Sequence, residues 1–435
     1  HRDLHSFPTR RSSDLRQERH GFAFNYKAAE TLYARLLGER ERLRGDIQAM
    51  FPAWYQADTE FTPRRSMKRK TPGGWLECIY EGAPMTKVKY TTFNPASNAH
   101  IAYWLIRKYD WTPVEFTEKS NEPKIDEDVL KELPYPEAPQ LAHWWTLNKR
   151  CSQIAEGKGS WFHHYNSRTG RIHGAVNTIG AVTARMSHFA PNLAQVPANY
   201  SPFGEECRAL FHPPAGYKQV GADAASLELR CLGHYLHKWD GGSYCNTVVH
   251  GTKDEGTDVH TLTKKALGID SRDVAKTFMY AWLYGAGDAK LAKILGCSVS
   301  KAKKFKKTFL SNLPALGSLQ ETIADRLKSG QLLKALDGRP LLSRSPHSAL
   351  NLLLQSAGAI IMKKALCIAD EQLQALGLKH SGYEFAGTSY DYEFMANVHD
   401  EWQVSCKAEV AELVGKTLRS EERRVGKEGR SRWSP

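Results

Sequence analysis

The stretch EFMANVHDEWQV (residues 393–404) places two adjacent acids, Asp400 and Glu401, between two runs of β-prone residues. Apolar side chains alternate with other residues over 394–398 and again over 402–404. Because a period of two is typical of strands, this pattern predicts a tight β-hairpin with the acids at its tip. Acids are also common in ordinary solvated turns, so the rest of the chain has to decide whether these two have a function.

A second acid follows another predicted strand. The stretch YKQVGADAASLELRCLGHYL (217–236) begins with a short β-like run that ends at Asp223 and continues as an amphipathic helix. An acid in this place is more often a helix cap. A carboxylate at a strand end is also open to a ligand, so Asp223 and Asp400 form a candidate metal-binding pair. The apolar face of the helix consists of Leu227, Leu229, Cys231, Leu232 and Tyr235.

A third element, DSRDVAKTFMYAWLYGAG (270–287), points to the class of ligand. Arg272, Lys276 and Tyr280 are spaced four residues apart, and Tyr284 lies one step further. In a helix each such step turns by only about 40°, so these side chains share one face. Two cations followed by two aromatic rings suit a triphosphate with a sugar and base stacked beyond it. The alternative is a solvated helix face with a few buried tyrosines.

The composition limits the class of protein. The 435 residues are 41% hydrophobic and 25% charged, as in a globular protein of two or three subdomains. The formal net charge of +13 suggests a polyanionic partner. We find no run of about 18 apolar residues, so we expect no contact with a membrane and a buried helix at 350–369, the most apolar stretch. The eight cysteines form no C-x-x-C pair, which argues for a reducing compartment and against a zinc site or a disulfide framework.

The two ends of the chain are expected to lie outside the fold. Residues 1–15 and 419–435 are basic, rich in serine and arginine, and without an apolar period. The first segment can be encoded by a DNA sequence whose reverse complement, translated in a shifted reading frame, gives most of the second segment. Both segments resemble translated sequencing-adapter DNA, and we interpret them as scars; a natural pair of basic tails is the alternative.

Five segments in order resemble the motifs of family A DNA polymerases, and in particular the replicative polymerases of short-tailed bacteriophages. They are Asp223 with Glu228 and Arg230, the helix from Arg272 to Tyr284, Val398–Glu401, and the stretches 183–197 and 344–359. The likeness runs from about His20 to Cys406. It implies an α+β fold shaped like a right hand, with a mixed or antiparallel palm sheet, helical fingers and a helical thumb.

The resemblance also divides the chain. It implies a thumb region with a shortened insertion at 16–175, a first palm part with motif A at 176–250, fingers at 251–343, and a truncated second palm part with motif C at 344–418. Within the thumb region, helical spacing predicts a long exposed helix from His20 to about Phe51. The basic cluster at 64–70 is interpreted as a solvated loop or as a contact with nucleic acid or a partner.

The activity implied is DNA-directed DNA synthesis, in which dNTPs are added to a primer 3′-OH and pyrophosphate is released. The resemblance makes Asp223 and Asp400 ligands of two Mg²⁺ ions, with Ala224 as a further metal-binding position and Glu401 beside the ions. Mg²⁺ takes few carboxylates when substrate phosphates supply the other ligands, so two aspartates are enough. Such ions activate the attacking hydroxyl and stabilise the transition state at the α-phosphate.

The resemblance also implies the residues that hold the nucleotide and the DNA. His260, Arg272 and Lys276 would bind the triphosphate, and Tyr280 would flank the sugar. Glu228, beside Tyr284, would fill the space on the 2′ side of the sugar and exclude a ribose hydroxyl. The residues expected to contact the minor groove or the primer end are Arg185, Asn351, Gln355 and His399.

The chain departs from the family pattern in four places. Thr183-Ala184-Arg185 stands where the family commonly has Thr-Gly-Arg. The phage relatives carry an N-terminal proofreading exonuclease, and this chain is expected to begin after it. They also carry a thumb insertion that recruits thioredoxin; the shorter span at 57–90 makes a thioredoxin-like partner doubtful. The family continues past the hairpin, so the palm is expected to be incomplete.

Two other functions remain open from the sequence. Paired carboxylates also serve two-metal nucleases, although a nuclease has no need of the Arg272/Lys276 stripe. A truncated palm could leave a DNA-binding fragment without catalysis. For a polymerase we expect primer–template DNA and dNTPs as partners, and the cytoplasm of a phage-infected bacterium as the location.

Overall fold

The structure is a computed structural model that describes residues 16–117, 121–343, 345–381 and 389–425. These residues form two compact units. The smaller unit comprises Tyr26–His163 and Pro197–Cys207, and the larger unit comprises the described residues up to Asn25, His164–Val196 and the described residues from Arg208 onward. The subdomain boundaries given above remain predictions.

The smaller unit consists of helices and a long β-ribbon. Its core contains Ile47, Phe51, Phe93, Ile101 and Leu105. Its elements are α2 (Tyr26–Met50), β2 (Trp54–Phe61), β3 (Met67–Lys70), β4 (Leu76–Ile79), β5 (Met85–Thr91), α3 (Asn98–Tyr109), α4 (Glu127–Glu132), α5 (Ala138–Cys151) and the start of α6 (Gly204–Ala209).

The predicted helix from His20 to Phe51 is shorter than expected. A helical turn over residues 16–20 (α1) is followed by strand β1 (Phe22–Phe24), and only then does α2 begin. Phe22–Phe24 alternates apolar side chains and pairs with two other short strands, which explains why the helix does not extend back to His20. Helix α2 buries a single stripe that includes Leu32, Leu36 and Ile47.

The larger unit contains the elements that carry most of the predicted site. They are β1, β6 (Tyr165–Asn166), β7 (Arg171–Ile172), β8 (Ala175–Asn177), β9 (Ser187–Phe189), β10 (Phe211–His212), β11 (Tyr217–Asp223), α7 (Leu227–Asp240), α8 (Ser243–His250), α9 (Val259–Leu267), α10 (Arg272–Leu283), α11 (Asp288–Ile294), α12 (Val299–Asn312), α13 (Pro314–Lys328), β12 (Leu333–Lys334), β13 (Pro340–Leu341), α14 (Pro346–Ala375), β14 (Tyr392–Val398), β15 (Glu401–Lys407) and α15 (Ala411–Val425).

The predicted hairpin is confirmed, and it forms most of a three-stranded antiparallel sheet in the order β11-β15-β14. Strand β14 is buried on both faces over nearly its whole length, with a bulge between Phe394 and Ala396. The alternation of apolar and other residues in the sequence therefore does not correspond to one solvent-exposed face and one buried face of β14. Phe394 and Val404 instead join a core to which α7, α10 and α14 also contribute.

Helix α14 is the buried helix predicted at 350–369, extended at both ends. Its residues Ser348–Ala375 are long and apolar enough to cross a membrane by length and composition alone, contrary to the sequence-based reading. However, 67% of its most apolar window is buried within the protein, as in the core helix of a soluble fold. The helix packs closely on α7 at Gly358, where an added Cβ would lie 3.1 Å from Leu227 Cδ2.

The C-terminal end of the fold differs from the expectation. Helix α15 continues to Val425, into the segment interpreted as an adapter scar that begins at residue 419. Glu412 and Lys416, four residues apart, form an ion pair at 2.6 Å early in this helix, but the segment that follows has no apolar period to reveal that the helix continues. Residues 1–15 and 426–435 lie outside the described residues.

The buried ring of His20 makes the stability of the larger unit depend on pH. His20 is 4% exposed, Arg171 Nη1 lies 3.2 Å from its Nε2, and burial together with the Arg171 charge lowers the pKa of His20 to about 3. Below pH 6.5 the unfolded chain therefore binds a proton at His20 that the folded chain does not bind. The free energy of unfolding consequently decreases as the pH is lowered. We expect this residue to contribute about 1.4 kcal/mol per pH unit between pH 6 and pH 4.

The measurement is urea unfolding of the parent and of His20→Gln at several pH values. Glutamine keeps a polar side chain but does not titrate, so the difference in unfolding free energy between the two proteins should shrink or reverse as the pH falls. A difference that stays constant from pH 7 to pH 4 would show that His20 is not buried as a neutral ring.

Candidate active site

The acids from two distant parts of the chain meet at one end of the three-stranded sheet. In the antiparallel register Asp223 lies opposite Glu401, and the backbone N–H of Ala224 donates to the carbonyl of Asp400 at 2.8 Å. Asp400 lies in the two-residue turn between β14 and β15. His399, the other turn residue, has a φ of 60°, a left-handed conformation that allows this tight reversal. The structure therefore brings together all four positions predicted around the metals.

Glu228 links two other predicted residues next to this sheet end. It lies in the first turn of α7, where one carboxylate oxygen accepts from Arg185 Nη2 at 2.8 Å. The other oxygen accepts a short hydrogen bond from the Tyr284 hydroxyl. Burial, followed by the hydrogen bond to Glu228, raises the pKa of Tyr284 well above its usual value, so its hydroxyl stays protonated and donates. The predicted pairing of Glu228 with Tyr284 is present in the structure.

Helix α10 has the predicted one-sided arrangement but is slightly shorter than the sequence suggested. It ends at Leu283, and Tyr284 follows as its cap while keeping a hydrogen bond from its N–H to the carbonyl of Tyr280 at 2.9 Å. The Tyr280 ring centroid lies 6.3 Å from that of Tyr284 and 6.0 Å from that of His260. Lys276, on the same face, is exposed.

Tyr280 lies within electrostatic reach of the acids. Burial, followed by the negative charges of Glu228 and Asp400, raises the pKa of Tyr280 to about 12. At neutral pH its hydroxyl is therefore a hydrogen-bond donor. The helix that carries the cations and the sheet end that carries the acids thus belong to one site.

Asp258, which the sequence analysis missed, organises the cationic end of this site. Its carboxylate caps α9 by accepting from the backbone N–H of His260 at 3.1 Å. It also accepts from Arg272 Nε at 3.2 Å and from Arg272 Nη2 at 2.8 Å. Although burial opposes the shift, the Arg272 hydrogen bonds and charge lower the pKa of Asp258 to about 2. One ionised carboxylate therefore orients the Arg272 side chain and caps the helix that carries His260, and these are two of the three residues that were predicted to bind the triphosphate.

His260 is held neutral. It is 7% exposed, and burial followed by the Arg272 charge lowers its pKa to about 4. Its Nδ1 is buried, with no hydrogen-bond partner among the described residues. An orphaned buried polar atom is costly, which is typical of a site that is completed by a ligand.

The four predicted DNA contacts fall into two groups. Arg185 and His399 lie near the acids, and burial followed by the Arg185 charge lowers the pKa of His399. Asn351 and Gln355 lie four residues apart on α14, and no hydrogen bond described for that helix joins them to the other predicted residues. The Asn351 Oδ1 atom is buried and has no partner among the described residues.

A second missed residue, Lys363 on α14, holds the loop that carries Arg185. Its Nζ donates to the backbone carbonyls of Thr178 and, at 2.5 Å, of Ala184. In the sequence Lys363 lies within the apolar stretch 350–369, which predicted only a buried helix. Ala184 is 5% exposed and has a φ of 60°, so it adopts the left-handed conformation for which the family pattern has glycine.

The conformation of Ala184 predicts how the position responds to substitution. A β-branched side chain is strongly strained at positive φ, and the buried site has little room for it. Ala184→Val should lower the unfolding free energy by about 2–3 kcal/mol. Ala184→Gly, the control, should change it by less than about 1 kcal/mol because relief of strain is offset by lost burial and greater unfolded-state entropy. Urea unfolding checks both, and a valine variant as stable as the parent would contradict the left-handed assignment.

The chemistry of the sheet end suits a hard cation. Its side-chain donors, from Asp223, Asp400 and Glu401, are carboxylate oxygens, the ligands that Mg²⁺ prefers. Within the described residues, no group of three or more His, Cys, Asp or Glu side chains is arranged to hold a metal ion unaided. A site with few protein ligands is consistent with an ion that is completed by substrate phosphates.

Comparison with known proteins gives the same picture. A sequence model of DNA polymerase family A matches residues 80–426. The chain is 38% identical over 471 aligned residues to the DNA-directed DNA polymerase of Escherichia phage T7, covering 94% of this chain and 65% of that protein. The corresponding polymerase of Enterobacteria phage T3 is 37% identical with the same coverage. The chain thus spans about two thirds of the length of these phage relatives.

More distant relatives and a solved structure agree. DNA polymerase I of Pseudomonas aeruginosa is 30% identical over 331 residues, which cover 71% of this chain and 34% of that protein. The solved structure described as the POL domain of Pol1 from M. smegmatis, in complex with DNA primer-template and dNTP, superposes with a TM-score of 0.72. It covers 97% of this chain and 67% of the other at 18% identity, which shows a shared fold.

Proposed function

This chain belongs to DNA polymerase family A, and on that basis we propose that it is a DNA-directed DNA polymerase. It would add dNTPs to a primer 3′-OH under the direction of a template and release pyrophosphate. The observation that carries the proposal is the meeting of Asp223 and Asp400 at one sheet end, within electrostatic reach of Tyr280 on α10. A nuclease would use the acids but would have no need of the cations and rings of that helix.

The triphosphate would lie along the first turns of α10. Asp258 occupies Nε and Nη2 of Arg272, which leaves Nη1 free to donate to a phosphate oxygen without breaking the pair. The neutral His260 ring can donate one further hydrogen bond, and the exposed Lys276 supplies a mobile positive charge. Because Asp258 holds the Arg272 side chain through two nitrogen atoms, the Arg272 donors need little reorganisation when the nucleotide binds.

Asp223 and Asp400 would hold two Mg²⁺ ions, with the backbone of Ala224 as a further ligand and Glu401 alongside. When bound, such ions lower the pKa of the primer hydroxyl and neutralise the charge that develops at the α-phosphate. The backbone that carries the acids is held in place by the register of β11 with β15 and by the hydrogen bond between Ala224 and Asp400. This preorganisation means that little structural change is needed before reaction.

The sugar of the incoming nucleotide would lie between Tyr280 and Glu228. The Tyr280 hydroxyl, protonated at neutral pH, can donate to the nucleotide where a 3′-OH would otherwise make the contact. Glu228 is fixed by Arg185 and Tyr284, so its carboxylate can act as a rigid wall on the 2′ side. Arg185, His399, Asn351 and Gln355 would contact the primer–template.

Replacing Glu228 with alanine should relax the rejection of ribonucleotides. The side chain that excludes a 2′-OH would be removed. We therefore expect the preference for dNTP over NTP to fall by about tenfold or more, which corresponds to about 1.4 kcal/mol. The measurement is single-nucleotide incorporation with matched deoxy and ribo substrates. Glu228→Gln is the control, since it keeps the volume and should keep most of the discrimination. Equal discrimination in the parent and the alanine variant would contradict the role of Glu228.

The proposed activity is tested by incubating the full chain with a labelled primer–template, Mg²⁺ and dNTPs. Primers should lengthen and pyrophosphate should appear in equal amount. Shortened primers would point to a nuclease, and binding without any change in primer length would point to a DNA-binding fragment.

We propose the cytoplasm of an infected bacterium as the place of action. We expect no membrane partner, and a thioredoxin-like partner remains doubtful.

A further inference from the structure

The basic cluster at 64–70, interpreted from the sequence as a solvated loop or as a contact with nucleic acid or a partner, lies in a long two-stranded arm, which we call the β-arm (residues 54–91). Strand β2 pairs with β5 and β3 pairs with β4, and the N–H of Gly82 donates to the carbonyl of Pro63 at 2.9 Å where the two pairs join. At the base, the Trp54 ring stacks on Tyr103 with centroids 4.7 Å apart. Beyond the base, most residues on both faces of the arm are exposed.

An arm of this kind has little stability of its own. Two strands without a packed face are marginal in water, and a long flat ribbon with open edges invites association. Its side chains therefore indicate what it is built to contact. The cations are Arg64, Arg65, Lys68, Arg69, Lys70, Lys87 and Lys89, against the acids Asp58, Glu60, Glu77 and Glu81.

Most of these cations are not neutralised within the arm. Arg69 Nε pairs with Glu77 at 2.6 Å, and Lys87 Nζ lies 5.3 Å from the centre of the Phe61 ring. No ion pair is described for Lys68, Lys70 or Lys89 within the part of the chain that the structure covers. Positive charge without local partners, on a segment open to solvent, is the electrostatic signature of a polyanion-binding surface.

The arm also exposes four large aromatic rings. Trp75, at the tip, is 80% exposed, Tyr55 is 73%, Tyr80 is 65% and Tyr90 is 63%. Tyr55 and Tyr90 lie opposite each other across the strands, with ring centroids 5.2 Å apart. Rings held out in water on a two-stranded ribbon bury no core, so folding alone does not explain them.

We propose that the β-arm binds single-stranded DNA. Cations that track phosphates, together with exposed rings on which unpaired bases stack, are the two components of such a surface. A duplex would use the cations but keep its bases stacked on one another, which would leave the rings without a role. An acidic protein would likewise match the charge but would not require a series of separate rings. The proposal goes beyond the polymerase function, because binding requires no catalysis.

The test measures the affinity of the full chain for a labelled oligothymidylate by fluorescence anisotropy at several salt concentrations. Replacing Lys68, Lys70 and Lys89 together with alanine should weaken binding and reduce the slope of log affinity against log salt by about 2. Replacing Trp75 and Tyr90 with alanine should weaken binding about fivefold to a hundredfold while leaving that slope unchanged. The two variants thus separate the phosphate contacts from the base contacts.

The matched control replaces three exposed lysines of the same unit outside the arm, Lys27, Lys149 and Lys158, with alanine. It should leave both affinity and slope nearly unchanged, and thermal unfolding should be similar for all variants. The proposal is overturned if both arm variants bind oligothymidylate like the parent, or if the aromatic variant loses duplex affinity as strongly as single-strand affinity. Primer extension on a preformed primer–template, measured alongside, reports on the polymerase function separately.

Discussion

Replacing Asp223 or Asp400 with alanine is expected to lower the rate of nucleotide incorporation about a thousandfold or more, with little change in affinity for primer–template DNA. The two carboxylates act on charge that develops in the transition state, and a loss of about 4 kcal/mol there corresponds to three powers of ten. Duplex affinity depends instead on cations and groove contacts distributed over the protein. Neither substitution disturbs the backbone hydrogen bond between Ala224 and Asp400.

The measurement is single-turnover incorporation at saturating dNTP, combined with fluorescence anisotropy of a labelled primer–template. Asp325→Ala is a matched control, because this aspartate on α13 has a side chain that is 77% exposed and should not affect either quantity. An Asp223 or Asp400 variant that keeps a tenth of the parental rate would rule out the proposed metal-binding role for that residue.

Replacing Tyr280 with phenylalanine is expected to make the protein discriminate against dideoxynucleotides, which the parent should accept almost as readily as normal ones. A dideoxynucleotide lacks the 3′-OH, and the protonated Tyr280 hydroxyl can supply the missing contact. A buried, well-placed hydrogen bond supports an effect of about a hundredfold in the ratio of incorporation efficiencies. The raised pKa of Tyr280, about 12, ensures that the donor is present throughout the neutral range.

Competing dNTP and ddNTP incorporation on one primer–template measures this ratio. Tyr235→Phe is the control, since the Tyr235 hydroxyl is buried with no hydrogen-bond partner among the described residues and its removal should leave discrimination unchanged. Equal discrimination in the parent and in Tyr280→Phe would make Tyr280 an ordinary packed aromatic residue.

Local patterns were sufficient to predict the elements that carry the chemistry. The alternation around Asp400 predicted the hairpin, and the four-residue spacing from Arg272 predicted the common face of α10. In both cases the signal lies within about twenty residues, where strand and helix periods can be read directly. The resemblance then predicted which distant acids would meet, and the register of β11 with β15 agrees with it.

The residues that hold the site in place were not predicted, because their partners are distant in the chain. Lys363 donates hydrogen bonds to the backbone carbonyls of Thr178 and Ala184. Nothing in the sequence of an apolar helix predicts such a contact. Asp258 did carry a local signal, since it precedes a helix and lies two residues before His260. Its pairing with Arg272 depends on how α9 packs against α10 and could not be seen in the sequence.

The strands of the β-arm were not predicted, for a different reason. They are rich in lysine, which is depleted in strands, so a solvated loop was one of the two interpretations of the basic cluster at 64–70. The signal that was available is the Thr71–Trp75 turn, with Pro-Gly-Gly between two runs of similar length. In this case the turn chemistry was a better guide than strand propensity.

The central claim is that the chain copies a DNA template, and one measurement tests it most directly. The full chain is given a primer annealed to four templates that differ only in the next base, with each of the four dNTPs supplied singly. We predict that each template selects its complementary nucleotide and that Asp400→Ala abolishes all four additions. Incorporation that ignores the template base, or that persists unchanged in Asp400→Ala, would contradict the account.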